Sequence, residues 1–190
     1  LNDSFGHSAF RVKDTIQNID VVYNYGVYDF NTPNFYLKFA QGKLLYNLDR
    51  NNFTPFYNYY SKQNRWIKEQ VLNLTPSEKQ NLFNFLQNNL KPENRTYKYD
   101  FFFDNCATKI RDVMAIVLKD KISYQDGFQS NFYTFRELIQ KNVDWNTWGS
   151  FGMDIAIGAV VDRKATYWEY QFLPEYVFKA TDKAKLNKIG

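Results

Sequence analysis

The stretch Asp104-Asn105-Cys106-Ala107-Thr108-Lys109-Ile110-Arg111-Asp112-Val113-Met114-Ala115-Ile116-Val117-Leu118 joins a turn-forming pair to a run whose apolar residues recur at helical spacing. Asp104 and Asn105 are residue types that favour helix N-caps, and the aromatic segment before them, Tyr97 to Phe103, reads as extended. Cys106 is therefore expected in the first turn of a largely buried helix. There, unsatisfied backbone N–H groups and the positive end of the helix dipole lower a thiol's pKa and offer donors to an oxyanion. A lone cysteine is often an inert small hydrophobe, but a packing role gains nothing from this position.

Cys106 is the one cysteine and His7 the one histidine among the 190 residues. Such a pair is the minimum for cysteine nucleophilic catalysis: the thiolate attacks, and the imidazole generates it and later returns a proton. His7 stands in Ser4-Phe5-Gly6-His7-Ser8-Ala9-Phe10-Arg11, and Phe5 to Val12 reads as a strand, with Gly6 permitting close backbone approach. A polar connection, Lys13 to Asn18, leads to a second strand, Val21 to Phe30. The two are expected to form an antiparallel hairpin, in which cross-strand neighbours lie about 5 Å apart. The group that orients the imidazole should then come from the second strand. Asn24 is the first candidate, because an amide carbonyl accepts an imidazole N–H; Tyr25 and Asp29 are the alternatives, since a slip of one residue exchanges the faces. Ser8, Tyr25 and Asn105, which flank these three, are the candidate substrate-binding residues. Histidine early and cysteine roughly a hundred residues later reverses the order of papain-type enzymes, as a circularly permuted papain-like fold would. The expected fold class is α+β, an antiparallel sheet packed against the helix that carries the nucleophile.

With both motifs in view, the chain resembles the N-terminal periplasmic domain of the lipoprotein N-acyltransferase family Lnb. The match is carried by Gly6-His7-Ser8 with Arg11, by Asn24-Tyr25-Gly26 followed by Asp29-Phe30, and by Tyr97 with Asp104-Asn105-Cys106-Ala107-Thr108 and Arg111-Asp112. Glu69-Gln70-Val71-Leu72-Asn73-Leu74-Thr75 and Phe172-Leu173-Pro174-Glu175-Tyr176 add support. More distantly, the order of His and Asn-Cys is similar to the lecithin:retinol acyltransferase group, permuted papain-like enzymes that carry an acyl chain on cysteine. Their third member is usually histidine; this chain has no second one, so that role falls elsewhere. The resemblance implies a periplasmic location, a membrane-anchored parent with helices C-terminal to this domain, a phospholipid acyl donor and a lipoprotein acceptor at a membrane surface.

Length and composition suit one domain over 1–190 with one sizeable core, and no composition shift divides it. No apolar run reaches transmembrane length. The net charge of +4 is spread along the chain rather than clustered, which argues against nucleic acid. No metal-spaced His/Cys cluster or phosphate-binding glycine loop is visible, so neither metal nor cofactor is expected. Aromatic content is the unusual quantity, with 18 Phe, 15 Tyr and 4 Trp. Most of these, including the run from Phe53 to Tyr60, are expected to fill a β-rich core. A minority, with candidates Tyr25, Tyr28, Phe30, Phe102 and residues 145–151, should form an apolar groove reaching Cys106. Capping boxes at Thr75-Pro76-Ser77-Glu78 and Thr134-Phe135-Arg136-Glu137 open two further helices, and a terminal helix is expected over Pro174 to Lys185. Gly-rich 148–161 reads either as a closely packed segment or as a loop near the site.

Three functions compete on these residues. The first is transfer of an acyl chain through a Cys106 thioester. The second is a cysteine peptidase or amidase acting on cell-wall peptides, which would need a polar groove. The third is a non-catalytic envelope binding module, which would leave the sulfur away from His7.

Overall fold

The computed structural model describes residues 5–29, 31–34, 38, 43–125, 132–142 and 159–187. Four strands, β1 (Phe10–Asp14), β2 (Ile19–Val27), β3 (Leu45–Asn52) and β4 (Thr96–Lys98), form an antiparallel sheet in that order. Among the described residues the helices are α1 (Phe53–Lys62), α2 (Pro76–Asn89), α3 (Cys106–Leu118), α4 (Phe135–Gln140), α5 (Tyr167–Tyr170) and α6 (Pro174–Lys183). A small pair, β5 (Ile122–Ser123) and β6 (Lys185–Leu186), fastens the chain after α6 to the end of α3. The α+β class and the antiparallel sheet are as expected from the sequence.

The first strand is shorter than the sequence suggests. It begins at Phe10 rather than Phe5, because Gly6 takes φ +77°, a left-handed conformation that interrupts extended backbone. Residues 15–18 make the turn into β2. Asp14 Oδ1 accepts the N–H groups of Ile16 and Gln17 there, and Asn18 closes the turn at φ +53°.

Alternation along β2 sends Val21, Tyr23 and Tyr25 into the main core, where they meet Phe10, Leu48, Leu82 and Leu86 of α2, and Val113, Met114 and Leu118 of α3. Both buried phenols have partners from α2: Gln87 Nε2 donates to Tyr23 at 2.7 Å and Asn89 Nδ2 to Tyr25 at 2.6 Å. A second cluster gathers Phe135, Leu138 and Ile139 of α4 with Tyr170, Phe172, Leu173, Tyr176 and Ala180, and Phe5, Phe101 and Phe102 pack against it.

The expected caps form. Thr75 and Thr134 each accept from the third residue of their helix while Glu78 and Glu137 reach back, and Thr166 with Glu169 adds a third such box. The terminal helix stops at Lys183, two residues before the expected end, because Lys185 and Leu186 pair with β5. The run from Phe53 to Tyr60 corrects the sequence reading: it is helix α1, it buries none of its residues, and it lies against the sheet through Phe53, Phe56 and Tyr60. Arg11 sits 3.4 Å above the Phe53 ring while pairing with Asp20 and Glu69.

Arg111 ties α3 to α5. Its Nε donates to Asp112 at 2.7 Å, an Nη to the Trp168 carbonyl at 2.9 Å, and the guanidinium lies over the Trp168 ring. Arg111→Lys, which loses the planar fork, is expected to lower unfolding free energy by about 1–3 kcal/mol. The rate of Cys106 alkylation per folded molecule should stay unchanged. Denaturant melts alongside alkylation kinetics check this; unchanged stability with a lost thiol reaction would instead place Arg111 in the chemistry.

Candidate active site

Cys106 is the first residue of α3, and Asn105 is its N-cap. Asn105 Oδ1 accepts from the N–H groups of Ala107 and Thr108, and Thr108 Oγ1 accepts the Asn105 N–H in return, which completes a capping box. The Asn105 amide donates at 2.7 Å to the Phe101 carbonyl and at 2.8 Å to that of Phe172. All four side-chain hydrogen-bond positions of Asn105 are thus occupied within the protein. Its role is to fix the start of α3 against the second cluster, where the sequence reading had it bind substrate.

His7 reaches the site from the segment leading into β1. Phe10 pairs with Tyr23, so Asn24 lies beyond the end of β1, and the two side chains meet without being cross-strand partners. His7 Nε2–H donates to Asn24 Oδ1. Among Asn24, Tyr25 and Asp29, Asn24 is the residue in contact with the ring. Tyr25 faces the other way on β2 and is 1 % exposed, which encloses it in the core rather than at a substrate surface. Asp29 lies past the strand and accepts the Asn31 N–H. With Nε2 committed to Asn24, the ring nitrogen left for the Cys106 thiol is Nδ1, and the two groups lie close enough for each to shift the other's pKa.

The electrostatics follow. Burial pushes the Cys106 thiol up, but the His7 charge, the His7 hydrogen bond and the N–H groups of Ser8 and Ala107 together hold it below its ordinary value of 9.0. Burial likewise disfavours the imidazolium. The neighbouring thiolate and the hydrogen bonds to Cys106 and Asn24 outweigh burial and the opposing charge of Arg65, so His7 rises above 6.5. Both shifts favour a thiolate–imidazolium pair. Ser8, a candidate substrate-binder by sequence, contributes here through its backbone. Cys106 itself keeps part of its surface exposed.

Two neighbours were not foreseen. Gly26 takes φ +95° at a bulge in β2, and a side chain built there would stand 3.7 Å from Cys106 Cβ and 4.0 Å from the Tyr97 hydroxyl. Tyr97 Oη is buried without a hydrogen-bond partner. Burial, then the charges of Cys106 and Asp104, push this phenol above its usual range. The sequence carried a trace of both, since Gly26 follows Asn24-Tyr25 and Tyr97 opens the Asn-Cys block, but neither contact could be read without the fold.

Of the groove candidates, Tyr28 packs on Tyr46, and Phe102 stands among Phe101, Phe135 and Phe172. Phe30, residues 145–151 and most of the Gly-rich 148–161 segment lie outside the described residues. Among the described residues no group of three or more His, Cys, Asp or Glu side chains could hold a metal ion, and no helix is long and apolar enough to cross a membrane.

A sequence model for the Lnb N-terminal periplasmic domain matches residues 1–141, which include His7, Asn24 and Cys106. No curated protein and no solved structure matches the chain. The span of that match covers most of the chain, so this protein belongs to the family of the Lnb N-terminal periplasmic domain and is a periplasmic domain with a lipoprotein-related context.

Proposed function

We propose that this domain is a cysteine acyltransferase, in a circularly permuted papain-like arrangement, that carries an acyl chain on Cys106 between a phospholipid and the N-terminal amine of a lipoprotein. The observation that carries this reading is the chain of contacts from Asn24 to His7 to Cys106, ending on a thiol at a helix N-terminus. Family membership supplies the lipoprotein context.

The Cys106 thiolate attacks the carbonyl carbon of a glycerophospholipid ester. The Cys106 N–H, first of α3 and without an intrahelical acceptor, and the unpartnered Tyr97 hydroxyl are the donors offered to the developing oxyanion. The ester C–O bond breaks and the leaving alkoxide takes the His7 proton, which releases a lysophospholipid and leaves a thioester. Neutral His7 then accepts a proton from the incoming amine as nitrogen attacks the thioester carbonyl. The C–S bond breaks, an amide forms, and the thiolate–imidazolium pair is restored. Amines attack thioesters readily, so aminolysis outruns hydrolysis where the bound substrates exclude water.

The test is mass spectrometry of the intact chain after incubation with phospholipid vesicles. The expected result is a mass increase of one acyl group, mapped to Cys106, present in the parent chain and absent in Cys106→Ala. An adduct from cell-wall peptides and none from phospholipid would reassign the domain to the peptidase or amidase class. No adduct from any donor, with the thiol still reactive to alkylation, would leave a binding module.

A further inference from the structure

Helix α1 and the turn that follows it form an unusual face. Tyr59 and Trp66 are 59 % and 76 % exposed, and the Tyr59 ring packs edge-on against Tyr60. Residues 53–68 contain Lys62, Arg65 and Lys68 and neither Asp nor Glu, while the next acidic residue, Glu69, pairs with Arg11. The face is held in place: Asn64 turns the chain at φ +54°, and the Arg65 N–H returns to the Tyr60 carbonyl. Arg65 and Lys68 lie over the rings of Tyr60 and Trp66. The same segment lies beside the site, since α1 packs against β2, the strand that carries Asn24.

We infer that this face seats the domain on an anionic bilayer surface, with the Tyr59 and Trp66 rings at headgroup depth and Lys62 and Lys68 against lipid phosphates, so that the site opens beside the membrane. Rings with a polar tip favour that boundary over both water and hydrocarbon. The excess of positive charge is complementary to anionic headgroups. This inference rests on the acyl-transfer reading for its purpose but not for its evidence.

The experiment is co-sedimentation of the chain with phosphatidylcholine vesicles with and without phosphatidylglycerol, at low and high salt. The parent is expected to bind the anionic vesicles and to be released by salt. Lys62→Gln with Lys68→Gln should weaken that binding roughly thirty-fold, and Tyr59→Ser with Trp66→Ser about ten-fold. Alkylation of Cys106 without vesicles should match the parent in both variants, which shows the fold and the thiol intact. Equal binding by parent and variants, equal binding to neutral vesicles, or a parent dimer that the variants dissolve would each overturn the inference. A water-soluble short-chain ester separates it from the acyl-transfer reading. Patch-dependent vesicle binding with no thioester from any donor retains the docking surface and removes acyl transfer. Thioester formation from vesicle phospholipid at the parent rate in both variants does the reverse.

Discussion

His7→Ala is expected to slow alkylation of Cys106 by about one to two orders of magnitude near pH 6. In the parent, the His7 charge and hydrogen bond, with two backbone N–H groups, hold the thiol below 9.0 against burial. A thiolate with depressed pKa is present above that depressed value and is lost as pH falls through it. The imidazolium partner, raised above 6.5, is present below its own value and is lost as pH rises through it. The two shifts move the values toward each other, so as pH falls below 9.0 the parent should keep a larger thiolate fraction, and a faster reaction, than an ordinary cysteine. Without His7, burial remains and the main compensation is gone, so the thiol returns toward its ordinary value. Near pH 6 such a thiol is ionised in about one molecule in a thousand. The greater nucleophilicity of a more basic thiolate restores part of that loss, which leaves the net effect stated. Iodoacetamide kinetics against pH on the two proteins measure it, and superimposable profiles would mean that the imidazole does not control the thiol.

The second large effect is on stability. Asn105→Ala is expected to lower the unfolding free energy by about 3–5 kcal/mol. Loss of the N-cap acceptor accounts for about 1 kcal/mol of this. The remainder comes from the two carbonyls left without their Asn105 donor, about 1–3 kcal/mol for the buried one of Phe172 and about 1 kcal/mol for the partly buried one of Phe101. Asn105→Ser, which retains a capping oxygen but not the two donors, should recover about 1 kcal/mol. Asn105→Asp should not rescue the fold, because a carboxylate has no N–H to give either carbonyl. Urea titrations of the three variants decide the matter. A loss below about 1 kcal/mol in Asn105→Ala would show that the two carbonyls find other donors and that the site is not held through this amide.

Much of this architecture is legible where the signal is local. The helix beginning at Cys106 announces itself by an Asn-Cys boundary and apolar spacing, and the boxes at Thr75 and Thr134 by residues three apart, because caps and helical periodicity are satisfied within a few residues of chain. Helix α1 was legible as well: Phe53, Phe56, Tyr57 and Tyr60 follow helical spacing, but so many aromatics invite a strand reading. The start of β1 was misplaced for a different reason. Gly6 permits either sign of φ, and which one it takes depends on what surrounds it, here Pro174 within 4 Å of where a side chain would stand.

Residue types and local spacing alone placed a single thiol at a helix N-terminus and made Asn24 the first of three candidates, with Tyr25 and Asp29, to orient the single imidazole. Tertiary structure decided the rest, because each remaining fact depends on contacts across distant chain. The register of Phe10 on Tyr23 chose which face of β2 carries Asn24, and thereby sent Tyr25 into the core. Joining the two apolar clusters through the Asn105 amide fixed the start of α3. The bulge at Gly26 then left room for Cys106 and Tyr97 beside it. Side chains that alternate every residue along a strand can be assigned to faces only once the partner strand is known, and a buried hydroxyl is recognised as unpartnered only once everything around it is in place.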